Sequence, residues 1–270
     1  MSEFRTLAEQ IARAAGAVLR DKFDQTRTIE IKAGLRSNLV TDADHASEAL
    51  MLEWLAREVP QHAVLAEETG AVGQGDFTWF VDPLDGTTNY AHGVPHFCVT
   101  LALQGPQGML AAVSYDPLRD ELFSAGLGEG ATLNGGPLRA STVTALGEAV
   151  LCTGFPYDVQ QNPDAPLGLF TRLVRQAQGM RRMGSAALDL AYVAAGRFDG
   201  FFEFGLKPWD TAAGSLLISE AGGQVRRIDG AVYDPRYGDV QAAAPGLSVE
   251  LSSVCSEFVT SIGWQPTAFR

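Results

Sequence analysis

The residues best suited to chemistry form one short run, DPLDGTTN, at positions 82–89. Pro83 favours a turn, so the carboxylates of Asp82 and Asp85 can converge. Carboxylate oxygens suit a hard cation such as Mg²⁺, which takes octahedral oxygen ligands from a few carboxylates and from substrate phosphate. Two such ions can activate water and stabilise the leaving oxygen of an in-line displacement. The run therefore predicts metal-assisted chemistry on a phosphate.

The second half of the run offers a place for an anion. Gly86 lets the backbone approach a ligand closely. Thr87 and Thr88 begin a predicted helical turn, whose first N–H groups have no partner within the helix and can bind an anionic group. No histidine or cysteine lies within the run, and a site for a hard cation needs neither.

Further carboxylates lie where predicted strands end or helices begin, namely Glu67 and Asp210. Strand ends meet at a sheet edge, where ligands are commonly bound. A single carboxylate in such a position is weak support, because Asp-Pro and Asp-Gly are ordinary turn dipeptides and Asp44 could simply cap the helix that follows it. The spacing D-P-x-D-G-T-[ST]-N as a unit is far more specific.

The elements that must position these residues follow from hydrophobic periodicity. A first helix, with Ser2 as a possible cap, has an apolar stripe of Leu7, Ile11, Ala15, Val18 and Leu19. Residues 28–41 read as extended, and a second helix follows Asp44 and ends near Pro60. Short apolar runs between residues 63 and 133, separated by turn residues, predict an antiparallel meander. The runs are too closely spaced for intervening helices, which disfavours a doubly wound nucleotide-binding fold.

The second half of the chain alternates between strand and helix patterns. The predicted helices cover 167–179, Ser185–Ala195 (closed by Gly196) and Thr211–Ala221, and the predicted strands cover Val150–Thr153, Phe201–Phe204 and Val225–Ile228. We expect one compact unit of two α/β lobes, residues 1–140 with most metal ligands and 141–270 with the substrate pocket and Asp210. The lobes meet near residues 137–150 without a flexible linker.

Composition narrows the classes of partner. The chain has 270 residues, a net charge of -12 and a pI near 4.7. This charge opposes binding to nucleic acid or to an anionic membrane surface. Three widely spaced cysteines indicate neither a disulfide framework nor a zinc site, and we expect buried thiols. The N-terminus lacks a signal-peptide pattern and no apolar run approaches a membrane span, so we expect a cytoplasmic protein.

Three separated motifs together resemble the inositol monophosphatase family of Mg²⁺-dependent, lithium-sensitive phosphatases. They are AEET at residues 66–69, DPLDGTTN at 82–89 and WDTAAG at 209–214. The resemblance extends over roughly residues 5–230 and is closest to bacterial members. It implies an α/β (α+β) fold, an alternating five-layer αβαβα sandwich with mixed, largely antiparallel sheets, and a homodimer.

The resemblance also implies two to three Mg²⁺ ions per site. Glu67, Asp82 and the backbone carbonyl of Leu84 would hold the first ion. Asp82, Asp85 and Asp210 would hold the second. A third, looser ion is expected near Glu67.

Catalytic and substrate roles follow from the same resemblance. Glu67 and Thr87 would orient and deprotonate the attacking water, with Asp44 supporting Thr87. The implied substrate-binding residues are Asp85, Gly86, Thr87, Gly184, Ser185, Ala186, Glu203 and Asp210. Lys32 is expected to lean toward the site. Arg181 and Arg182 could contact a phosphate, a partner subunit or only solvent, and His92 and His96 are interpreted as structural.

These features predict a phosphomonoesterase that hydrolyses inositol-1-phosphate by metal-activated water attack. The Glu203 carboxylate favours a small phosphorylated polyol because it can accept several hydroxyl hydrogen bonds. The alternatives within the superfamily are fructose-1,6-bisphosphate, 3′-phosphoadenosine-5′-phosphate, histidinol phosphate and NADP. No stacking aromatic residue for a nucleotide is evident from the sequence, and 159–168 lines no motif. An additional, non-enzymatic role in protein binding is the alternative of a different class.

Overall fold

The computed structural model describes residues 3–25, 28–32 and 38–269. The possible cap Ser2 lies outside these ranges, as does the middle of the predicted extended stretch 28–41. The described ends of that stretch form two short strands, β1 (Ile29–Ile31) and β2 (Leu39–Thr41), which pair antiparallel with Ile31 opposite Leu39. The extended prediction is confirmed for these described residues.

Seven α-helices lie in the described ranges: α1 Glu3–Phe23, α2 Asp42–Glu58, α3 Thr87–Ala91, α4 Asp164–Val174, α5 Ala186–Ala194, α6 Pro208–Glu220 and α7 Ser248–Ser261. The strands after β2 are β3 Ala63–Ala66, β4 Gly70–Val72, β5 Thr78–Asp85, β6 Cys98–Gly105, β7 Gly108–Asp116, β8 Glu121–Gly126, β9 Gly130–Leu133, β10 Gly136–Pro137, β11 Val150–Thr153, β12 Gly179–Arg181, β13 Gly200–Glu203, β14 Gln224–Arg227 and β15 Val240–Ala243.

Two large sheets carry the fold. One has eight strands in the order β10-β9-β8-β7-β6-β5-β3-β4, and the other has five in the order β12-β11-β13-β15-β14. In the eight-stranded sheet only β3 and β5 pair parallel, and in the five-stranded sheet β11 pairs parallel with both β12 and β13. All other pairings are antiparallel. The predicted meander and the mixed, largely antiparallel sheets are confirmed.

Helices and sheets alternate in five layers. Helices α1 and α2 pack on one face of the eight-stranded sheet, and α5 and α6 pack between the two sheets. Helices α4 and α7 pack on each other, and α7 covers the far side of the five-stranded sheet. Three hydrophobic clusters of buried residues fill the spaces between these layers. The predicted αβαβα sandwich is confirmed, whereas its division into lobes 1–140 and 141–270 stays a prediction.

Local sequence explains where most helices begin and end. In α1 the buried side chains Ala8, Ile11, Ala15 and Leu19 follow a helical repeat, as predicted. Helix α2 begins with a capping box, in which Thr41 and Asp44 bind each other's backbone N–H groups. The helix predicted over Ser185–Ala195 is confirmed as α5, which is followed by Gly196 at a φ of 66°.

Two helix boundaries differ from the predictions. The helix expected over 167–179 is α4, which begins three residues earlier and ends at Val174, because Pro166 is tolerated in a first helical turn. Gly179–Arg181 forms the edge strand β12, since pairing with β11 overrides the local pattern. Helix α6 begins at Pro208 instead of Thr211, which places Asp210 in its first turn.

The three cysteines are buried thiols, as expected. Cys98, Cys152 and Cys255 are buried and form no disulfide. None of the described helices is both long and apolar enough to cross a lipid bilayer.

Candidate active site

A bulge at the end of β5 presents Asp82 and Asp85. Asp82 pairs with Thr100 of β6 and Asp85 with Cys98, so β5 contains one extra residue between the two pairs. The backbone N–H of Leu84 donates to Asp82 Oδ1 at 2.9 Å and closes the predicted turn. The bulge therefore changes the direction of the strand where both carboxylates are needed.

Glu67 lies beside Asp82 because β3 and β5 run parallel. Ala66 pairs with Val81, and the next backbone N–H, that of Glu67, donates to Val81 O at 3.1 Å. Burial raises the pKa of Asp82 well above its ordinary value, and the charges of Glu67, Asp85 and Asp210 raise it further. The pKa of Glu67 is also raised, chiefly by burial.

Asp210 reaches the same place from the first turn of α6. Its Oδ2 accepts a hydrogen bond from the backbone N–H of Lys207 at 2.6 Å, which anchors the carboxylate at the helix start. Burial, followed by the charges of Asp85 and Glu67, raises the pKa of Asp210 well above its ordinary value. The structure thus brings together all four carboxylates that the sequence singles out.

This cluster suits a hard divalent cation. Its donors are carboxylate oxygens, and their mutual repulsion in a buried place is the condition that a cation relieves. Among residues 3–25, 28–32 and 38–269, no group of three or more His, Cys, Asp or Glu side chains already has the arrangement that holds a metal ion. A fit to Mg²⁺ therefore rests on the chemistry and mutual charge of the cluster.

The Thr87 hydroxyl lies between Leu84 and Asp44. Its Oγ1 donates to Leu84 O at 2.9 Å and is 3.3 Å from Asp44 Oδ1. A hydroxyl has a single hydrogen, so Thr87 can donate to only one of these acceptors at a time. Thr41 donates to the other oxygen of Asp44 through its backbone N–H and its hydroxyl, at 2.8 and 2.6 Å. Burial raises the pKa of Asp44 to about 6.

Gly86 connects β5 to α3. Its φ is 92°, and a Cβ atom there would lie 3.0 Å from His96 O and 3.3 Å from Gly184 O. The neighbouring Asn89 side chain donates to His96 O at 2.8 Å and to Met183 O at 2.9 Å. These contacts hold the start of α3 against the segment that contains Gly184.

Lys32 contacts the carboxylate cluster, as expected. Its Nζ donates to Glu67 Oε1 at 3.0 Å and also to Glu68 Oε1. Burial alone would lower the pKa of Lys32, but the two carboxylates outweigh burial and raise it above its ordinary value. Lys32 therefore brings a positive charge to the edge of the cluster.

A cavity of about 320 Å³ opens beside the cluster. Every predicted substrate-binding residue lines it: Asp85, Gly86, Thr87, Gly184, Ser185, Ala186, Glu203 and Asp210. Ser185 Oγ donates to Asp85 Oδ2 at 2.5 Å, and the backbone N–H of Ala187 donates to the same oxygen at 2.8 Å. Asp85 thus joins the carboxylate cluster to the start of α5.

Glu203 forms part of the cavity wall at the end of β13. A Cβ on Gly154 would overlap the Glu203 carboxylate, so Gly154 makes room for it. Burial raises the pKa of Glu203 to about 8, although nearby Arg182 opposes this rise. Arg182, which the sequence left without a role, also lines the cavity.

Sequence reasoning missed part of this wall. Phe155, Tyr157 and Asp189 line the cavity, although the sequence appeared to offer no aromatic residue for stacking. Val159, in the segment 159–168 that lines no recognised motif, also borders the cavity. The positions of Phe155 and Tyr157 could have indicated that they border the site. Both residues follow the end of β11, just as Asp82 and Asp85 occupy the end of β5.

The two histidines differ in their surroundings. His92 lines the cavity, whereas His96 is buried and neither ring nitrogen has a hydrogen-bond partner among the described residues. Burial lowers the pKa of His96 to about 4, which keeps the ring neutral near pH 7. A neutral ring packed edge-on against Tyr192 agrees with the structural role expected for His96.

Similar proteins carry the same architecture. The chain is 43% identical over 247 residues to a Salmonella typhimurium protein called Nus factor SuhB, covering 91% of this chain and 92% of that one. The solved inositol monophosphatase of Anabaena superposes with a TM-score of 0.85 at 41% identity, covering 97% of this chain and 98% of that one.

A third similar structure is described as an IMPase/NADP phosphatase complexed with Mg²⁺ and phosphate. It superposes with a TM-score of 0.78 at 25% identity and covers 89% of this chain and 90% of that one. The sequence as a whole matches the inositol monophosphatase family over residues 1–262. The chain therefore belongs to the inositol monophosphatase family of Mg²⁺-dependent phosphatases.

Proposed function

We propose that this protein hydrolyses inositol-1-phosphate to inositol and phosphate. The observation that carries the proposal is the convergence of four carboxylates, one buried (Asp82) and three half-buried, beside a cavity whose wall contains Glu203. The cluster suits the phosphate end of the substrate once cations are bound, and the wall suits a polyhydroxylated alcohol. The Anabaena relative, whose structure this chain resembles, is itself named an inositol monophosphatase.

The residues proposed to hold the metal follow from the cluster. Glu67, Asp82 and the Leu84 carbonyl would hold one Mg²⁺, and Asp82, Asp85 and Asp210 a second, with a third near Glu67. Bound Mg²⁺ supplies positive charge that neutralises the phosphate and activates the attacking water. The related structure that contains Mg²⁺ and phosphate supports this choice of cation.

The protein's own groups would then position the reactants and move a proton. Gly86 and Thr87, at the start of α3, line the cavity, and their N–H groups would receive the phosphate there. Glu67 and Thr87 would orient the water and accept its proton. Asp44 lies 3.3 Å from Thr87 Oγ1, and its pKa of about 6 leaves it mostly ionised at pH 7. It can therefore accept a hydrogen bond from Thr87 there.

A substrate panel tests this proposal. We expect Mg²⁺-dependent phosphate release with the highest kcat/KM on inositol-1-phosphate, and inhibition by lithium. The panel includes fructose-1,6-bisphosphate, histidinol phosphate, 3′-phosphoadenosine-5′-phosphate and NADP. Phe155 and Tyr157 on the cavity wall favour the two nucleotides as the strongest competitors, because bases stack on aromatic rings. A higher kcat/KM on either nucleotide would replace the inositol substrate and leave the phosphatase assignment in place.

A second, non-enzymatic role is a separate candidate, since the Salmonella relative carries the name Nus factor. Complementation of cells lacking this protein would separate the two roles. If an inactive Asp82→Asn variant restores growth, protein binding is the required role. If only the active protein restores it, the phosphatase activity is required.

We also propose that the protein acts as a homodimer in the cytoplasm, as the family resemblance implies. Sedimentation velocity of the Mg²⁺-loaded protein should give twice the 28.8 kDa chain mass. A single species of chain mass at micromolar concentration would contradict the dimer.

A further inference from the structure

Asp189 is a buried acidic residue of the cavity wall that the proposed chemistry does not use. It lies on α5 one turn beyond Ser185, and its backbone N–H donates to Ser185 O at 3.0 Å. The residue is 1% exposed and lines the same cavity as Glu203. It therefore lies on the side of the cavity assigned to the alcohol part of the substrate.

The carboxyl group of Asp189 has unused hydrogen-bonding capacity. Its Oδ1 is buried and has no hydrogen-bond partner among the described residues. Buried polar atoms are nearly always hydrogen-bonded, and a buried acceptor left unpaired destabilises the folded state. Such an atom beside a cavity indicates that a ligand group completes its bonding.

The surroundings of Asp189 specify the kind of ligand. Burial raises the pKa of Asp189 well above its ordinary value, and the charges of Glu203 and Asp85 raise it further. The positive charge of Arg182 opposes this rise. A group that both donates and accepts hydrogen bonds can pair with these carboxyls in either protonation state, and an alcohol hydroxyl is such a group.

We propose that Asp189 is a specificity-determining residue that, together with Glu203, binds hydroxyl groups of the alcohol part of the substrate. This inference rests on the proposed function, because it assumes a polyhydroxylated substrate. Asp189 contributes to recognition and takes no part in phosphate transfer. Its unpaired oxygen therefore destabilises the folded state until a substrate hydroxyl binds to it.

The test compares two substrates with the same six-membered ring. Inositol-1-phosphate has ring hydroxyls, and cyclohexyl phosphate has none. Leaving a buried polar group without its hydrogen-bond partner is costly, so Asp189→Leu should lower kcat/KM on inositol-1-phosphate by about 10- to 100-fold. The variant should leave kcat/KM on cyclohexyl phosphate within about twofold of wild type, because that substrate has no hydroxyl to lose. Asp189→Asn should fall between wild type and Asp189→Leu, since an amide can still donate and accept.

Asp199→Asn is a matched control. Asp199 is also buried, but its carboxylate accepts hydrogen bonds from Ser141 Oγ and the Val150 N–H, and it does not line the cavity. This variant should be less stable than wild type and keep the wild-type ratio of the two kcat/KM values. Asp189→Leu should melt no lower than wild type in EDTA, because carbon replaces an unpaired buried oxygen.

The outcomes separate this inference from the proposed function. If wild type hydrolyses both substrates equally well, the polyol substrate and the role of Asp189 both fail. If wild type prefers inositol-1-phosphate and Asp189→Leu keeps that preference, only the role of Asp189 fails. Equal losses on both substrates, with a lower melting temperature, would show that Asp189 is structural.

Discussion

Asp82 is the residue where burial and charge conflict most. It is 1% exposed, and three other carboxylates raise its pKa beyond the effect of burial. An isolated buried charge is strongly unfavourable, so a site of this kind is stable only when its carboxyls are protonated or paired with cations. The repulsion among these carboxylates destabilises the metal-free site and favours the binding of metal ions.

We expect Asp82→Asn to lower kcat by about 10³-fold or more, because the cluster loses the carboxylate proposed to serve both ions. Asparagine keeps the oxygen that accepts from the Leu84 N–H, so the turn should survive. Differential scanning calorimetry should show a melting temperature in EDTA no lower than wild type, and a smaller rise on adding Mg²⁺.

Asp116→Asn is the control for this variant. Asp116 is a buried carboxylate at the end of β7, outside the site, and binds Arg119 at 2.6 Å. The control should lose stability and keep its rise in melting temperature with Mg²⁺. An equal Mg²⁺ response in Asp82→Asn and wild type would contradict the assignment of Asp82.

Glu203 predicts a pH dependence of stability. Burial raises its pKa from an ordinary 4.5 to about 8 in the folded protein. Between these values the folded state keeps a proton that the unfolded chain releases. The resulting stabilisation is fully present below about pH 4.5 and is lost as the pH rises through about 8.

Denaturant unfolding of the metal-free protein from pH 5 to 8 measures this effect. Wild type should lose on the order of 3 kcal/mol relative to Glu203→Gln across this range. Glu121→Gln is the control of opposite sign, because a hydrogen bond from Arg197 lowers the pKa of Glu121 and its contribution is lost in acid. Parallel profiles for wild type and Glu203→Gln would show that Glu203 titrates normally.

At the scale of elements, the connection between β5 and α3 combines a bulge, a positive φ and a short helix. Gly86 requires both a left-handed backbone and close contact with His96 O and Gly184 O. A side chain there would displace the start of α3 from the segment that contains Gly184 and the neighbouring residues proposed to bind the substrate.

Gly86→Ala should therefore destabilise the protein by about 1–3 kcal/mol and lower kcat/KM by at least about tenfold. Gly93→Ala is a matched control, since Gly93 also has a positive φ, 73°, but a Cβ there would meet nothing within 4 Å. The control should lose about 1 kcal/mol and keep its activity. Urea denaturation and steady-state kinetics measure both quantities, and equal activity losses in the two variants would exclude the contact argument.

At the scale of the whole molecule, the site lies where the eight-stranded sheet meets α5 and α6. Asp85 belongs to the sheet and accepts from Ser185 Oγ and the Ala187 N–H of the α5 start. Asp210 comes from α6, which also packs on both sheets. We therefore expect the affinity for metal ions to depend on the hydrogen bonds that join these layers.

Ser185→Ala removes one of these bonds and leaves Asp85 with one partner fewer. We expect a loss of about 1–2 kcal/mol in stability and a weaker apparent affinity for Mg²⁺, by about three- to tenfold. Ser215→Ala is the control, because the buried Ser215 hydroxyl donates to Ala212 O within its own helix and Ser215 does not line the cavity. It should change Mg²⁺ affinity by less than twofold, and isothermal titration calorimetry measures both values. An unchanged Mg²⁺ affinity in Ser185→Ala would show that metal binding does not depend on this hydrogen bond.

Local patterns in the sequence were sufficient for the layered fold and for the four carboxylates of the candidate site, whereas the family resemblance supplied Gly184, Ser185, Ala186 and Glu203. Strand and helix periodicity predicted the meander and α5, and the spacing of Asp82, Asp85 and Gly86 predicted a turn that binds a cation and an anion. The end of α4 was mispredicted because β12 forms only through pairing with β11. Asp189 was missed because nothing in its neighbouring residues marks it, and Tyr157 was missed although it follows the end of β11.

The sequence alone indicated the chemistry, because most residues proposed to bind the hard cations and the phosphate lie within eight consecutive positions, whose backbone geometry is set by Pro83 and Gly86. Only the tertiary structure decided which distant groups complete the site. Asp85 and Ser185 are 100 residues apart yet share a hydrogen bond of 2.5 Å, and Asp189 joins the cavity wall one turn further along α5. The physical reason is that the burial of these groups and the repulsion between their charges depend on which layers pack together. Residues that are close in sequence do not determine that packing.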